Sequence, residues 1–302
     1  MVARERIESQ KPVNSENGFQ LFTIHFSLFT MLCCHPVNDT AKSPQSRAVA
    51  IIPARYASTR LPGKPLLEIA GRAMILHVIE RALEARNVAR AIVATDDERV
   101  LDVVRFAGFE AVMTRTDHAS GSDRLAEVAT TLDEADVIVN LQGDEPLVSP
   151  KTIERAVDEI LEDESAQVVT TSEEIADAAD VLSADVVKVV TDERGRALYF
   201  SRSPIPFPRE AVRRYGTLVA ALEIEPTLLS TFRKHTGLYV YRRAFLLEYT
   251  RWPQSGLERT ESLEQLRALE RGATIKVIEA DSPSIGVDTE QDLERVRKIL
   301  ET

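Results

Sequence analysis

From position 47 onward, short apolar runs take turns with amphipathic segments, and this alternation restricts the fold more than any other feature of the chain. Residues 48–52 read as a buried strand. Residues 74–86 place Ile75, Val78, Ile79 and Ala82 on one helical face. The next strand, 91–94, is stopped by Thr95-Asp96-Asp97, which suits the cap of a helix reaching about Phe106, with Gly108 just past its end. Strands follow at 110–113 and 137–141 with a helical stretch, 122–131, between them, and Pro150 suits the first turn of a helix over 150–161. Strand and helix alternating at this spacing predict a parallel sheet covered by helices on both faces. Ligands of such sheets sit beyond the carboxyl ends of the strands, so the loops that leave strands are where chemistry is expected.

The second half is less regular. Strands are expected at 167–171, 186–190, 197–200, 238–241 and 274–278, with helices over 257–271 and 289–300 and a proline-rich loop at 203–208. The first 46 residues stand apart. Their apolar run, 19–34, is too short for a spanning helix and contains His25, and as a signal peptide it has an overlong leader. An over-long start (with Met31 as an alternative), a weakly membrane-associating tail and a transit segment all stay open for it. The expectation is an N-terminal extension over 1–46, disordered or absent from the native protein, followed by a catalytic domain over 47–302, with no stable membrane insertion.

Charge narrows the function. With 48 Asp plus Glu against 37 Lys plus Arg, the net charge of −11 argues against a protein that coats nucleic-acid phosphates. Only two cysteines occur, the adjacent Cys33 and Cys34, so neither a disulfide framework nor a cysteine metal site is available, which suits the cytoplasm. Against this acidic background the loop after the first strand, PARYASTRLPGKPL, carries Arg55, Arg60 and Lys64 around Gly63 and no acid. Backbone amides approach closely at glycine while the cations neutralise charge, so the loop suits a polyphosphate; a solvated surface loop is the competing reading. It matches neither GxxxxGK[ST] nor GxGxxG, which counts against a P-loop ATPase and a Rossmann dehydrogenase. Asp144, in NLQGDEP at the end of a central strand, is the first candidate ligand for Mg²⁺ on nucleotide phosphates, with a turn or helix-cap role as its alternative. Asp288, in GVDT ahead of the last helix, is a second acid for which the cap role is the stronger reading from spacing alone.

PARYASTRLPGKPL, VATDDERV, MTRTDHASGSDRLAE, VNLQGDEPLV, ALYFSR, HTGLYVYR, LERTESLEQLR and GVDTEQDLERV occur in this order. Together they resemble the 3-deoxy-manno-octulosonate cytidylyltransferases, or CMP-Kdo synthetases, of the sugar nucleotidyltransferase superfamily, over about residue 48 to the C-terminus. The resemblance implies a Rossmann-like, mostly parallel α/β sheet of nucleotidyltransferase type A, with sugar-binding and dimerisation elements mainly within 197–271. It implies transfer of CMP from CTP to the acidic sugar Kdo with Mg²⁺, for lipopolysaccharide core assembly, in a cytoplasmic homodimer. By the same resemblance Arg55 and Lys64 hold the triphosphate, assisted by Arg60. Backbone at Pro53 and Ala54, together with Arg115, Ser120, Gly121 and Gln142, serves the nucleotide. Asp144 and Asp288 ligate magnesium, which raises the standing of Asp288, and Arg55, Lys64 and Asp144 form the catalytic set. Gln142, Arg202, His235, Tyr239, Glu261 and Gln265 line the sugar site.

These residue types suit those roles. Arg202 offers a planar fork for a sugar carboxylate, and Gln142, Glu261 and Gln265 offer partners for hydroxyls. If 257–271 is one helix, Glu261 and Gln265 share a face, and on a strand His235 and Tyr239 do too. Structural roles remain open for His235 and Tyr239 as core residues and for Glu261 as a solvated helix position. Related acidic sugars, such as 8-amino-8-deoxy-Kdo or a sialic acid, and a non-catalytic nucleotide sensor are the rival readings.

Overall fold

The computed structural model describes residues 48–57, 61–118 and 120–301. The readings made for 1–46 and for Arg60 lie outside the described residues. In chain order these form β1 (Ala48–Ala54), a 3₁₀ turn (Lys64–Leu66), β2 (Glu68–Ile69), β3 (Arg72–Ala73), α1 (Met74–Glu84), β4 (Val88–Thr95), α2 (Glu98–Phe106), β5 (Glu110–Met113), α3 (Gly121–Ala129) and β6 (Val137–Asn140). There follow α4 (Pro150–Glu162), β7 (Val168–Glu174), α5 (Ala178–Leu182), β8 (Lys188–Thr191), β9 (Ala197–Ser201), α6 (Arg209–Tyr215) and α7 (Leu218–Ile224). After a second 3₁₀ turn (Pro226–Thr231) come β10 (Arg233–Arg242), α8 (Arg243–Tyr249), α9 (Gly256–Glu261), α10 (Gln265–Glu270), β11 (Ile275–Glu279) and α11 (Glu290–Leu300).

Nine strands make one sheet, ordered β11-β7-β10-β6-β1-β4-β5, with β8 on β10 and β9 on β8. The pairs β1–β4, β1–β6, β4–β5 and β7–β11 are parallel. The sheet is α/β and mostly parallel, with β10 reversed between β6 and β7. Alternation along the strands explains why it is covered twice. On β1, Ala48, Ala50, Ile52 and Ala54 face a core that α1, α2 and α4 cover, while Val49 and Ile51 face one covered by α3, α8 and α10. The chain runs from β1 outward to β4 and β5, then returns to place β6 on the other side of β1. That reversal opens a crevice beyond the carboxyl ends of β1 and β6.

Two local expectations need correction. The strand expected at 238–241 begins earlier, at Arg233, because β7 and β8 supply register partners for Arg233, Lys234 and His235. The single helix expected over 257–271 is two helices. Ser262 takes a left-handed φ of 54° and ends α9. The break has a cause: the Arg202 guanidinium donates to Glu261 O at 2.7 Å and to Ser262 O at 3.4 Å, capturing carbonyls that a continuing helix would use. Glu261 and Gln265 therefore do not share a helical face, although Leu263, Leu266 and Leu269 still pack into the core.

Candidate active site

The loop leaving β1 is shaped at Tyr56 and Gly63. Gly63 has φ 69°, and a Cβ there would lie 3.1 Å from the Tyr56 ring, so glycine is needed for both conformation and space. Gly63 N donates to Tyr56 O at 3.2 Å, and the Arg99 guanidinium stacks 3.4 Å from the Tyr56 ring centroid. The turn so fixed carries Lys64 back over the crevice.

There Lys64 meets both acids singled out in the sequence. Its ammonium contacts the Asp144 carboxylate and, at 2.9 Å, the Asp288 carboxylate. Burial by itself would lower the Lys64 pKa, but Asp144 and then Asp288 outweigh it and hold the ammonium above the ordinary lysine value. Asp288 reaches the crevice because α11 packs Leu293 and Val296 against Leu61, Ile69 and Met74, and Val287 N donates to Asp144 O at 2.9 Å. Neither acid is a helix cap: Thr289 caps α11 and Ser149 caps α4. Gly143 lets the β6 loop lie against β1, since a Cβ there would stand 3.1 Å from Pro53 O and 3.3 Å from Ile75 Cδ1.

The crevice encloses about 360 Å³, lined among others by Pro53, Ala54, Arg55, Lys64, Gln142, Asp144 and Asp288. Among the described residues no group of three or more His, Cys, Asp or Glu side chains is placed to hold a metal by itself. The donor set at Lys64 nevertheless fits Mg²⁺, which takes hard oxygen ligands and commonly uses one or two carboxylates, with phosphate and water completing its shell. Two carboxylates already gather around one positive charge here.

The remaining nucleotide candidates sit apart from this pocket. Arg115 lines a neighbouring groove of about 550 Å³ with Asp117, His118 and Arg251, and its Nε donates to Asp117 at 2.8 Å. Ser120 caps α3 in a reciprocal box with Asp123, and Gly121 is the first residue of that helix. The link to the crevice is Arg55, whose Nη2 donates to His118 O at 2.7 Å.

The sugar-side candidates gather along β9, β10 and the α9–α10 break. Gln142 Nε2 donates to Gly237 O at 3.4 Å, joining the crevice to β10. His235 packs edge-on to Phe200 at 4.9 Å and lies 5.3 Å from the Tyr239 ring, with Nε2 at 2.9 Å from Thr170 Oγ1. Burial pushes its pKa down to about 3, so its imidazole is neutral, and burial pushes Tyr239 well above the usual phenol range. Glu261 accepts from Ser201 Oγ at 2.7 Å and from Arg202 N at 2.9 Å, so it is a tertiary partner and not a solvated helix position. The Arg202 fork is turned onto backbone, with Nη1 donating to Ala184 O at 2.9 Å besides its bonds to 261 and 262. Gln265 is buried at the start of α10.

The family model for cytidylyltransferases matches residues 49–276. A 3-deoxy-manno-octulosonate cytidylyltransferase from Trichlorobacter lovleyi is 52% identical over 250 residues, covering 83% of this chain and 97% of that protein. The enzyme of the same name from Geobacter sulfurreducens is 50% identical over 251 residues, covering 83% and 98%. The chain belongs to the 3-deoxy-manno-octulosonate cytidylyltransferase family. A solved CMP:2-keto-3-deoxy-manno-octonic acid synthetase in complex with CTP superposes with a TM-score of 0.75 at 45% identity, covering 84% of this chain and 98% of that one.

Within this cytidylyltransferase fold, three residues near the site escaped the sequence reading. Glu145 is pushed up to about 7 by burial and by the charges of Asp144 and Glu173, and its Oε2 accepts from Ser284 Oγ at 3.4 Å. Buried Asn140 ends β6 with its Oδ1 unpartnered. Glu264 accepts from Ser122 Oγ at 2.7 Å and lies in the electrostatic environment of Tyr239, Tyr241 and Tyr249. The strings NLQGDEP and LEQLR contained all three, but polarity alone does not separate an acid that its neighbours shield from water from a solvated one.

Proposed function

We propose that the chain transfers CMP from CTP to the anomeric hydroxyl of Kdo, releasing pyrophosphate, in the supply of activated sugar for the lipopolysaccharide core. The observation that carries this is the convergence of Lys64, Asp144 and Asp288 at the switch point between β1 and β6, in a chain of this family. The hydroxyl oxygen attacks the α-phosphorus and gives up its proton to solvent, the bond from that phosphorus to the bridging oxygen breaks, and the charge that develops goes to the pyrophosphate. Arg55 and Lys64 bind the triphosphate and offset that charge, so catalysis is by positioning and electrostatics. A covalent intermediate is not invoked, because no cysteine follows Cys34 and no serine stands in a nucleophile-elbow motif.

Asp144 and Asp288 would hold Mg²⁺, which when bound supplies neutralisation of the phosphates and acidifies the attacking hydroxyl. Pro53, Ala54, Arg55 and Gln142, which line the crevice, would receive the nucleotide, and Arg115, Ser120 and Gly121 would serve it from beyond the Arg55–His118 contact. Arg202, freed from Ala184 O, would take the sugar carboxylate. Gln142, Glu261 and Gln265 would serve its hydroxyls, beside the neutral His235 and Tyr239.

The reading also includes a cytoplasmic homodimer. Leu198, Phe207, Val219 and Ile224, all within 197–271, are exposed large hydrophobic residues whose burial would favour self-association. Light scattering on the eluted protein should return twice the chain mass. The activity is tested by pyrophosphate release with CTP, Mg²⁺ and Kdo, 8-amino-8-deoxy-Kdo or a sialic acid. Release with Kdo at the highest kcat/KM is expected; preference for another acid reassigns the substrate. CTP binding without release from any sugar makes the chain a sensor and defeats the proposal.

A further inference from the structure

Lys188 is one of the largest fully buried side chains, and the chemistry above does not use it. Its ammonium has three donors, and they meet three backbone carbonyls: Ser183 O at 2.8 Å, Val186 O at 2.6 Å and Arg202 O at 2.6 Å. Burying a cation is costly unless its donors are fully met, and a well-packed apolar residue would usually serve stability as well. Burial pulls the Lys188 pKa down, with the charge of Glu261 acting against that. A charge kept under such conditions points to a local demand for donors.

The register identifies what those donors organise. Lys188 stands opposite Ser201 on β9 and opposite Lys234 on β10, one residue before Arg202 and one before His235. Its neighbour Val187 accepts from His235 N at 2.8 Å. Ser201 Oγ and Arg202 N in turn hold the two oxygens of Glu261 at 2.7 and 2.9 Å. The carbonyls of 183 and 186 go to Lys188 while that of 184 goes to Arg202, so two cations grip one turn.

We propose that Lys188 is a positioning residue of the sugar side, its ammonium holding the Arg202 turn and the 183–186 turn in the arrangement that presents Arg202, His235 and Glu261 together. The inference rests on the reading of those three residues as the sugar side. It gives Lys188 no contact with substrate. Its removal should therefore act on the acidic sugar and leave the nucleotide crevice, built from β1, β6 and α11, unaltered.

The test compares Lys188→Met, which keeps length and removes every donor, with Lys188→Gln, which keeps an amide donor group. Lys188→Met should raise KM for Kdo by about tenfold or more while kcat at saturating sugar stays within about threefold, because the contacts it loosens hold the sugar alike in the ground and transition states and the groups around the phosphates are untouched. Lys188→Gln should fall between it and the wild type, and Kd for CTP by calorimetry should be unchanged in both. Arg202→Gln separates the role of the sugar side from that of Lys188. If it leaves KM for Kdo unchanged, the sugar-side reading fails and this inference with it. If it raises KM and Lys188→Met does not, the inference alone fails. Loss of CTP binding in both Lys188 variants would also overturn it, since the ammonium would then serve the whole fold.

Discussion

Replacing Lys64 with methionine should make the crevice a better site for a free divalent cation while spoiling it for the nucleotide. As the chain stands, a metal entering between Asp144 and Asp288 must displace an ammonium that both carboxylates contact. The Lys64 side chain is only 13% exposed and Asp144 31%, so their pair lies between a surface and a buried bridge; Asp288, at 58%, is largely screened. Taking about 1–2 kcal/mol for the first pair and a few tenths for the second gives roughly 1.5–2 kcal/mol that metal entry no longer has to overcome. That corresponds to Mn²⁺ binding about 10- to 30-fold tighter in Lys64→Met. Electron paramagnetic resonance of free Mn²⁺ reads this directly, without turnover. In the wild type, CTP should strengthen Mn²⁺ binding, because the triphosphate draws Lys64 away from the carboxylates. In Lys64→Met that coupling should largely vanish, with CTP itself bound weakly. A folded Lys64→Met protein that binds Mn²⁺ no more tightly than the wild type would refute the reasoning. If Asp144→Asn binds Mn²⁺ as well as the wild type with CTP present, the metal assignment itself is wrong.

Other outcomes follow from the same geometry. Asp144→Asn and Lys64→Ala should fold normally by circular dichroism yet lose most turnover in the pyrophosphate assay; near-wild-type activity in either removes these residues from the mechanism. Gly143→Ala places a Cβ 3.1 Å from Pro53 O, so the β6 loop must shift by a few tenths of an ångström. The expected result is about tenfold lower kcat/KM with a stability loss of about 1–2 kcal/mol, read by denaturant titration alongside kinetics. His235, held down to about 3 in the folded state, binds fewer protons than it does unfolded between pH 3 and 6.5. Stability from its neutral form is therefore complete above about pH 6.5 and lost as pH falls toward 3. His235→Gln should narrow its deficit against the wild type by about 1–2 kcal/mol between pH 6.5 and 5, and a deficit constant over that range would contradict the burial assigned to the ring.

Much of the architecture is written in the local pattern of the sequence. Apolar runs near 48, 91, 110 and 137, spaced by amphipathic stretches, dictated a mostly parallel sheet with both faces covered, because period and spacing are local properties of the chain. Capping clusters, the glycine at 63 and the cations near it are likewise local, so the caps, the turn at Gly63 and the concentration of positive charge in the first loop were legible. The pairing of Lys64 with Asp288 was not, for it spans 224 positions and depends on α11 packing against the β1 loop and on the bond from Val287 to Asp144. Nor could periodicity anticipate the break at Ser262, where a favourable helical sequence yields to the Arg202 guanidinium capturing its carbonyls. Burial decided the rest. Lys188 and Glu145 look like ordinary polar residues in the sequence and His235 stood open between core and site; only the surrounding elements, by excluding water, make one a buried cation, one a carboxyl titrating near neutrality and one a neutral imidazole.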